Sequence, residues 1–207
     1  MKKILYILSV VSCIGFYACK TDKTKTTKST KERVIAPKTD AQVKADLDNL
    51  LAELDRTWNE MIVSDDQKMD NLQTLLARIG RDKNYDQQAL TDVIAERDNL
   101  KVKRYDRQGI GNISAVDAYD SAQIKVMDAT SALVESTNLA ARDTVAGQLS
   151  SKIQEDDSRV PIMRAHYDKA AKNYNQYLKD YREQIQKLGP PYSELKPVPT
   201  FVEQQLQ

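Results

Sequence analysis

The forty residues from Ala41 to Gly80, AQVKADLDNLLAELDRTWNEMIVSDDQKMDNLQTLLARIG, decide the fold of this 207-residue chain. Val43, Leu47, Leu51, Leu54, Trp58 and Met61 follow one another in steps of three and four. That spacing keeps apolar side chains on one face of a helix with ~3.6 residues per turn. The stripe then meets two charged residues, Asp65 and Lys68, and resumes in phase at Leu72, Leu75 and Ile79. Neither Gly nor Pro falls between Ala41 and Ile79. The pattern therefore predicts one helix of about forty residues, ~60 Å long at ~1.5 Å per residue. Gly80 and the polar run Arg81–Asn84 predict its end.

Downstream the same reading gives three more segments. A shorter helix is expected from about Asp86 to Tyr105, with Leu90, Val93, Ile94 and Leu100 inward. Gly109-Ile110-Gly111-Asn112 reads as a loop, and Ser114 with Asp117 as a capping-box start for a third helix. That helix turns Val116, Tyr119, Val126, Met127, Leu133 and Val134 inward, and Asp143-Thr144 restarts the chain. In the fourth segment Leu149, Ile153, Asp156, Val160, Met163, Tyr167, Ala170, Tyr174, Tyr177 and Tyr181 keep alternating fours and threes, a heptad seam. Pro161 lies inside this run; because the seam keeps its phase there, a kink in one long helix is expected. Gly189-Pro190-Pro191 closes the segment, and Leu195, Val198 and Phe201 of the tail are placed to fold back. Four stripes that must bury one another predict an all-α fold, an antiparallel helical bundle of about four helices. Two of the helices are long, and the C-terminal tail is extended.

Upstream, Met1-Lys2-Lys3 is a basic head and Ile4–Ala18 an uncharged, mostly apolar run that ends at Phe16-Tyr17-Ala18-Cys19. This is the tripartite layout of a secretory signal peptide. The cysteine at its end resembles a bacterial lipobox, which predicts a diacylated Cys19 as the new N-terminus. Val10-Val11-Ser12-Cys13 is the competing site, but cleavage there leaves Ile14-Gly15-Phe16-Tyr17-Ala18 at the head of a solvent-facing linker. Fifteen apolar residues fall short of the ~17–25 that span a bilayer, which argues against an uncleaved anchor. The expected organisation is a lipoprotein signal peptide at 1–18, a disordered Lys/Thr-rich tether at 19–40, a helical bundle at 41–188 and an extended Pro-containing tail at 189–207.

Charge is distributed unevenly along the chain. The whole carries a net +1. Residues 20–38 hold seven basic residues against two acidic, a net +5, which leaves −6 for residues 39–207 once the two lysines of the signal are counted. A basic stretch beside a bilayer is suited to anionic head groups, at ~1 kcal/mol per residue near the surface. It is equally suited to be a solvated spacer. An acidic body behind a membrane-proximal basic stretch argues against nucleic acid. After removal of 1–18 one cysteine remains, and His166 is the only histidine. A disulfide framework within one chain, a cysteine metal site and a histidine metal cluster are thereby excluded.

Few residues present chemistry. His166 sits beside the seam without carboxylate or thiol companions in a motif. Asp65 and Asp66 look like a metal pair, but adjacent helical residues point ~100° apart and do not face each other. Asp65 and Asp156 fall on the core stripes, with Lys68 one turn from Asp65. A polar layer that sets register is the expected reading. No catalytic residue, metal site, cofactor or small-molecule substrate is inferred. Tyr167, Tyr174 and Tyr181 recur every seven residues, with Tyr177 and Asn175 alongside. They are either seam residues, ring inside and hydroxyl at water, or a protein-binding face.

Three stretches resemble the LemA family. Trp58, Met61, Val63, Lys68, Asp70 and Leu75 fall without a gap on its pattern W-x-x-I-x-V-(x)₄-R-x-D-(x)₄-L. Leu90, Val93 and Arg97 match L-x-x-V-x-x-A-R, with Glu96 in place of Ala, and Arg164, Tyr167, Ala170, Tyr174 and Asn175 match R-x-x-Y-x-x-A-x-x-x-Y-N. The similarity covers roughly residues 45–185. Lys68 stands for the family's arginine and Asp65 for a leucine, and residues 106–150 match poorly. The resemblance implies a membrane-attached, extracytoplasmic helical bundle with no established biochemical activity to transfer. With the N-terminal reading it leads to the expectation of a non-enzymatic envelope lipoprotein. Such a protein would be held by its lipid and act on an unidentified envelope protein. A structural spacer or a sensor of envelope components such as peptidoglycan is the alternative. Lys20 and Thr21 are not the aspartate that retains lipoproteins in the inner membrane, so the periplasmic face of the outer membrane is expected over the inner membrane.

Overall fold

The structure, a computed structural model, describes residues 35–201. The signal segment, Cys13, Cys19, most of the tether and residues 202–207 lie outside the described residues. Among those described, every regular element is helical, so the fold class is all-α.

Helix α1 runs Asp40–Ile79 without interruption. Thr39 starts it through a reciprocal cap: its hydroxyl accepts from Gln42 N and its own N–H donates to Gln42 Oε1 at 2.8 Å. Two donors that no helical carbonyl reaches are satisfied in this way. Helix α2, Gln87–Lys103, opens on Asp86, and α3, Ile113–Ser136, opens on Asn112, whose side chain accepts from Ala115 N. The cap of α3 is therefore Asn112 rather than the expected Ser114, because the helix starts directly after the 3₁₀ turn Gly109–Gly111. Asn138, at φ 51°, turns the chain into the short α4, Leu139–Arg142. Asparagine tolerates this left-handed conformation better than most residues.

The fourth segment corrects the expected second long helix. It comprises α5 (Thr144–Ser158), α6 (Val160–Asp180) and α7 (Arg182–Leu188), parted by single residues at Arg159 and Tyr181. Pro161 cannot donate to the ladder, and it sits in the first turn of α6, where that donor is not needed. Arg159 keeps right-handed helical dihedrals (φ −86°, ψ −15°), so the hydrogen-bond ladder breaks while the side-chain phase continues. Periodicity alone cannot distinguish the two cases.

Helix α1 packs along α5 and α6, and α2 along α3. Asp46 meets Tyr177, Lys68 meets Asp157 and Arg78 meets Asp143, so α1 runs opposite to the fourth segment. Two apolar clusters result. One joins Val43, Leu47, Leu54 and Met61 to Tyr167, Ala171, Tyr174, Tyr181, Ile185 and Phe201. The other joins Met69, Leu72, Leu75, Leu76 and Ile79 to Leu90, Val93, Leu100, Tyr119, Val126, Leu133 and Ile153. Leu47, Leu54, Leu72 and Leu75 are almost wholly enclosed, and each such side chain contributes ~1.5–3 kcal/mol relative to exposure. The clusters part at Asp65 and Lys68, where the apolar stripe of α1 is broken.

Candidate functional site: a tyrosine column and a buried polar layer

The tyrosine column faces inward and holds the incoming chain at Ala36 and the tail at Lys196 and Pro199. Tyr167 is 0 % and Tyr174 2 % exposed, and their hydroxyls donate to Pro199 O and Lys196 O, each at 3.2 Å. Asn175 grips one tail residue twice: Nδ2 donates to Val198 O at 2.7 Å, and Oδ1 accepts from Val198 N at 2.8 Å. Buried Asp168 accepts from Phe201 N at 2.8 Å. The Phe201 ring packs edge-on to Tyr167 and Tyr105 and lies 4.7 Å from the Arg164 guanidinium. Arg164 is itself held by Asp120 and the Tyr105 hydroxyl.

The other two tyrosines work at the N-terminal entry. Tyr181 donates to Ala36 O at 3.0 Å and Tyr177 to Asp46 Oδ2 at 2.9 Å. Their rings stack at 4.5 Å, and the Lys38 ammonium lies 4.9 and 5.0 Å from the two centroids while pairing with Asp46. Lys38 first and Tyr177 second hold the Asp46 carboxyl below the usual aspartate range by hydrogen bonding. Burial pushes the Tyr167 phenol up to about 12. Burial, followed by the bond to Asp46, does the same at Tyr177. Tyr174 is raised by burial.

The polar layer lies between the apolar clusters. Lys68 is 1 % exposed and donates to Gln123 Oε1 at 2.7 Å and Asp157 Oδ1 at 3.1 Å. Asp65 accepts from Tyr119, Gln123 and Arg104. The same guanidinium reaches Asp66 at 2.8 Å, so the adjacent carboxylates bracket one arginine. Burial, with Asp65 adding to it, drives the Tyr119 phenol well above its ordinary value. Asp156, on α5, is 3 % exposed; its Oδ1 pairs with Lys152 at 2.8 Å, and its Oδ2 has no hydrogen-bond partner among the described residues. A cavity of about 30 Å³, bordered by Asp65, Lys68, Arg104, Tyr119, Gln123 and Asp156, occupies this level. That is room for one or two waters.

The layer locks charges in place more than it poises them for reaction. The Lys68 ammonium is directed at acceptors and the Asp65 carboxylate takes donors from α2 and α3. His166 is exposed and stands apart from both features. Among the described residues no group of three or more His, Cys, Asp or Glu side chains is placed to hold a metal ion.

Sequence reasoning missed Arg104, Gln123 and Asp168. Gln123 had a legible signal: it falls between Tyr119 and Val126 on the inward stripe of α3. Asp168 follows Tyr167 as Asn175 follows Tyr174, a pairing repeated every seven residues. Arg104 ends α2 and reaches across to α1, and no local pattern announces that. Comparison with protein-family models, with curated proteins and with solved structures found no match.

Proposed function

We propose that this protein is a cell-envelope lipoprotein of the LemA type, a non-enzymatic antiparallel bundle of four helical segments. It is held to a membrane through Cys19 and acts by binding another envelope protein. One observation carries the anchoring: the apolar run Ile4–Ala18 behind two lysines ends at a small residue and a cysteine, and a basic, apolar-poor stretch follows. Two acyl chains hold a protein stably where one is marginal. No helix among the described residues is long and apolar enough to cross a membrane.

The body suits a tethered binding module. Its entry is fastened by Tyr181, Tyr177 and the Thr39 cap, so load on the tether passes into α1 and α6 together. Its buried charges each have a partner: Lys68 in Asp157, Asp156 in Lys152 and Asp168 in the Phe201 N–H. Exposed apolar side chains at Val63, Val102, Ile124 and Ile162 remain for contact with a partner.

The test is metabolic labelling with a fatty-acid analogue. Label is expected in the wild type and in Cys13→Ser and lost in Cys19→Ser. Label retained in Cys19→Ser overturns the assignment of the anchor. In vivo crosslinking with mass spectrometry then tests the partner, and a body that crosslinks to no protein overturns the binding role. Outer-membrane residence follows as the expected fractionation result.

A further inference from the structure

The contacts between α6 and the tail repeat. Tyr174 takes the carbonyl of Lys196 and Asn175, the next residue, takes the N–H of Val198. Seven residues earlier, Tyr167 takes the carbonyl of Pro199 and Asp168 takes the N–H of Phe201. In both units a tyrosine hydroxyl donates to the carbonyl of main-chain residue n, and the following Asx side chain accepts from the N–H of residue n+2. The second unit is displaced by seven residues on the helix and by three on the tail, in opposite directions.

Two periodicities match here. Seven helical residues rise ~10.5 Å, and three extended residues span ~9–10 Å in polyproline or strand geometry. Leu195 enters the segment with φ −62° and ψ 135°, in the polyproline region. Pro197 and Pro199 stand at positions whose N–H no side chain of α6 accepts, so their missing donors leave nothing unpaired on the groove side. These polar contacts read main chain, and one side chain, Phe201, is anchored among Tyr167, Tyr105 and Arg164. Aromatic-lined grooves that receive a preformed extended segment are an established mode of peptide recognition.

We propose that the Tyr167-Asp168/Tyr174-Asn175 face of α6 is a receptor for extended, proline-containing peptides of the form x-Pro-x-Pro-x-aromatic. The chain's own Lys196–Phe201 is the resident ligand, and a segment of this chemistry in the partner protein takes its place. This rests on the protein-binding role above and names the kind of segment bound. Displacement opposes an attached tail at millimolar effective concentration, so the partner engages when its own attachment raises its local concentration or when the tail is loosened.

The probe is the fluorescein-labelled peptide LKPVPTF, titrated by anisotropy against the full chain and its Phe201→Ala variant, each checked for helicity by circular dichroism. Phe201→Ala removes the tail's anchor and is expected to bind the peptide at least tenfold more tightly than the wild type. Adding Asn175→Ala should remove at least tenfold of that gain, and the peptide LKAVATF should bind more weakly. A helical Phe201→Ala protein without saturable binding at millimolar peptide overturns the proposal, as does binding indifferent to Asn175→Ala.

Should Phe201→Ala lose its helicity, the wild type decides. Phe201 is one of two phenylalanines in the chain, and with fluorophenylalanine its ¹⁹F resonance must move toward the solvent-exposed position as unlabelled LKPVPTF is added. A resonance unmoved at millimolar peptide overturns the proposal. Fatty-acid labelling at Cys19 is independent of these readouts, so failure of the anchor and failure of the groove are separable.

Discussion

Tyr167 shows how one residue serves packing and connection together. Its ring is wholly enclosed and meets Trp58 and Phe201 edge-on, while its hydroxyl ties the tail. Tyr167→Ala and Tyr174→Ala should each cost about 2–4 kcal/mol, somewhat under the ~3–5 of a core Phe→Ala change. Tyr→Phe at either position should cost ~1–3 kcal/mol if the tail carbonyl is left without a donor. Equilibrium denaturation of the four variants checks this, and alanine variants as stable as the wild type would contradict the seam reading. Lys68 makes the complementary case. Lys68→Met leaves buried Gln123 Oε1 without its donor and Asp157 without its cation, and should cost ~1–3 kcal/mol through the unsatisfied acceptor. Asp65, Lys68 and Asp156 were legible as polar breaks in apolar stripes. Which donors beyond α1 would meet Asp65 was not, because a hydrogen bond between residues 39 to 58 positions apart leaves no local trace.

The elements divide by how locally their ends are determined. The start of α1 is a short-range event between Thr39 and Gln42, and the span 40–79 follows from sequence spacing. Thr39→Ala should cost ~1 kcal/mol, readable as a lowered thermal midpoint with the same helical signal. The end of α7 is equally local: Gly189 has φ 71° and ψ −176°, a region that essentially only glycine occupies. Gly189→Ala should cost ~1–3 kcal/mol by backbone strain alone, since nothing lies within 4 Å of the added carbon. Chemical denaturation measures it. The breaks at Arg159 and Tyr181 belong to a different class. A heptad pattern reports which side chains face inward, and that phase survives a one-residue interruption of the ladder. The pattern over 149–181 is therefore right about burial at Ile153, Asp156, Tyr167, Ala170, Tyr174 and Tyr181 and silent about helix count.

At the scale of the whole molecule, α1 spans both apolar clusters, and the Tyr column joins the N-terminal entry to the C-terminal tail on one side of it. Stability should therefore respond to the ionisation of that column. The Tyr167 and Tyr177 phenols are raised to about 12 and Tyr174 is raised too, against ~10 for an unperturbed tyrosine. Between those values the folded chain keeps protons that the unfolded chain has released, so unfolding becomes more favourable as pH rises. This contribution is fully present below pH ~10 and is lost on passing through about 12. Thermal midpoints taken from pH 9 to 12 should fall steeply above 10. The fall should be shallower in Tyr167→Phe, which starts lower. A midpoint unchanged to pH 12 would contradict the buried column.

By itself the sequence determined the all-helical class, the span of α1, the inward faces and the polar break at Asp65 and Lys68. All of these depend on residues within a turn or two of one another, whose relative directions helical geometry dictates. Tertiary structure alone decided that Arg104, Tyr119 and Gln123 complete the polar layer, and that Asp168 and Asn175 read the tail's main chain. It also decided that Tyr181 receives the incoming chain at Ala36. Such pairings join residues 23 to 145 positions apart. Which of many possible donors meets a given carbonyl is settled only when the stripes have been packed against one another, because burial, not sequence spacing, makes an unpaired polar group costly enough to select its partner.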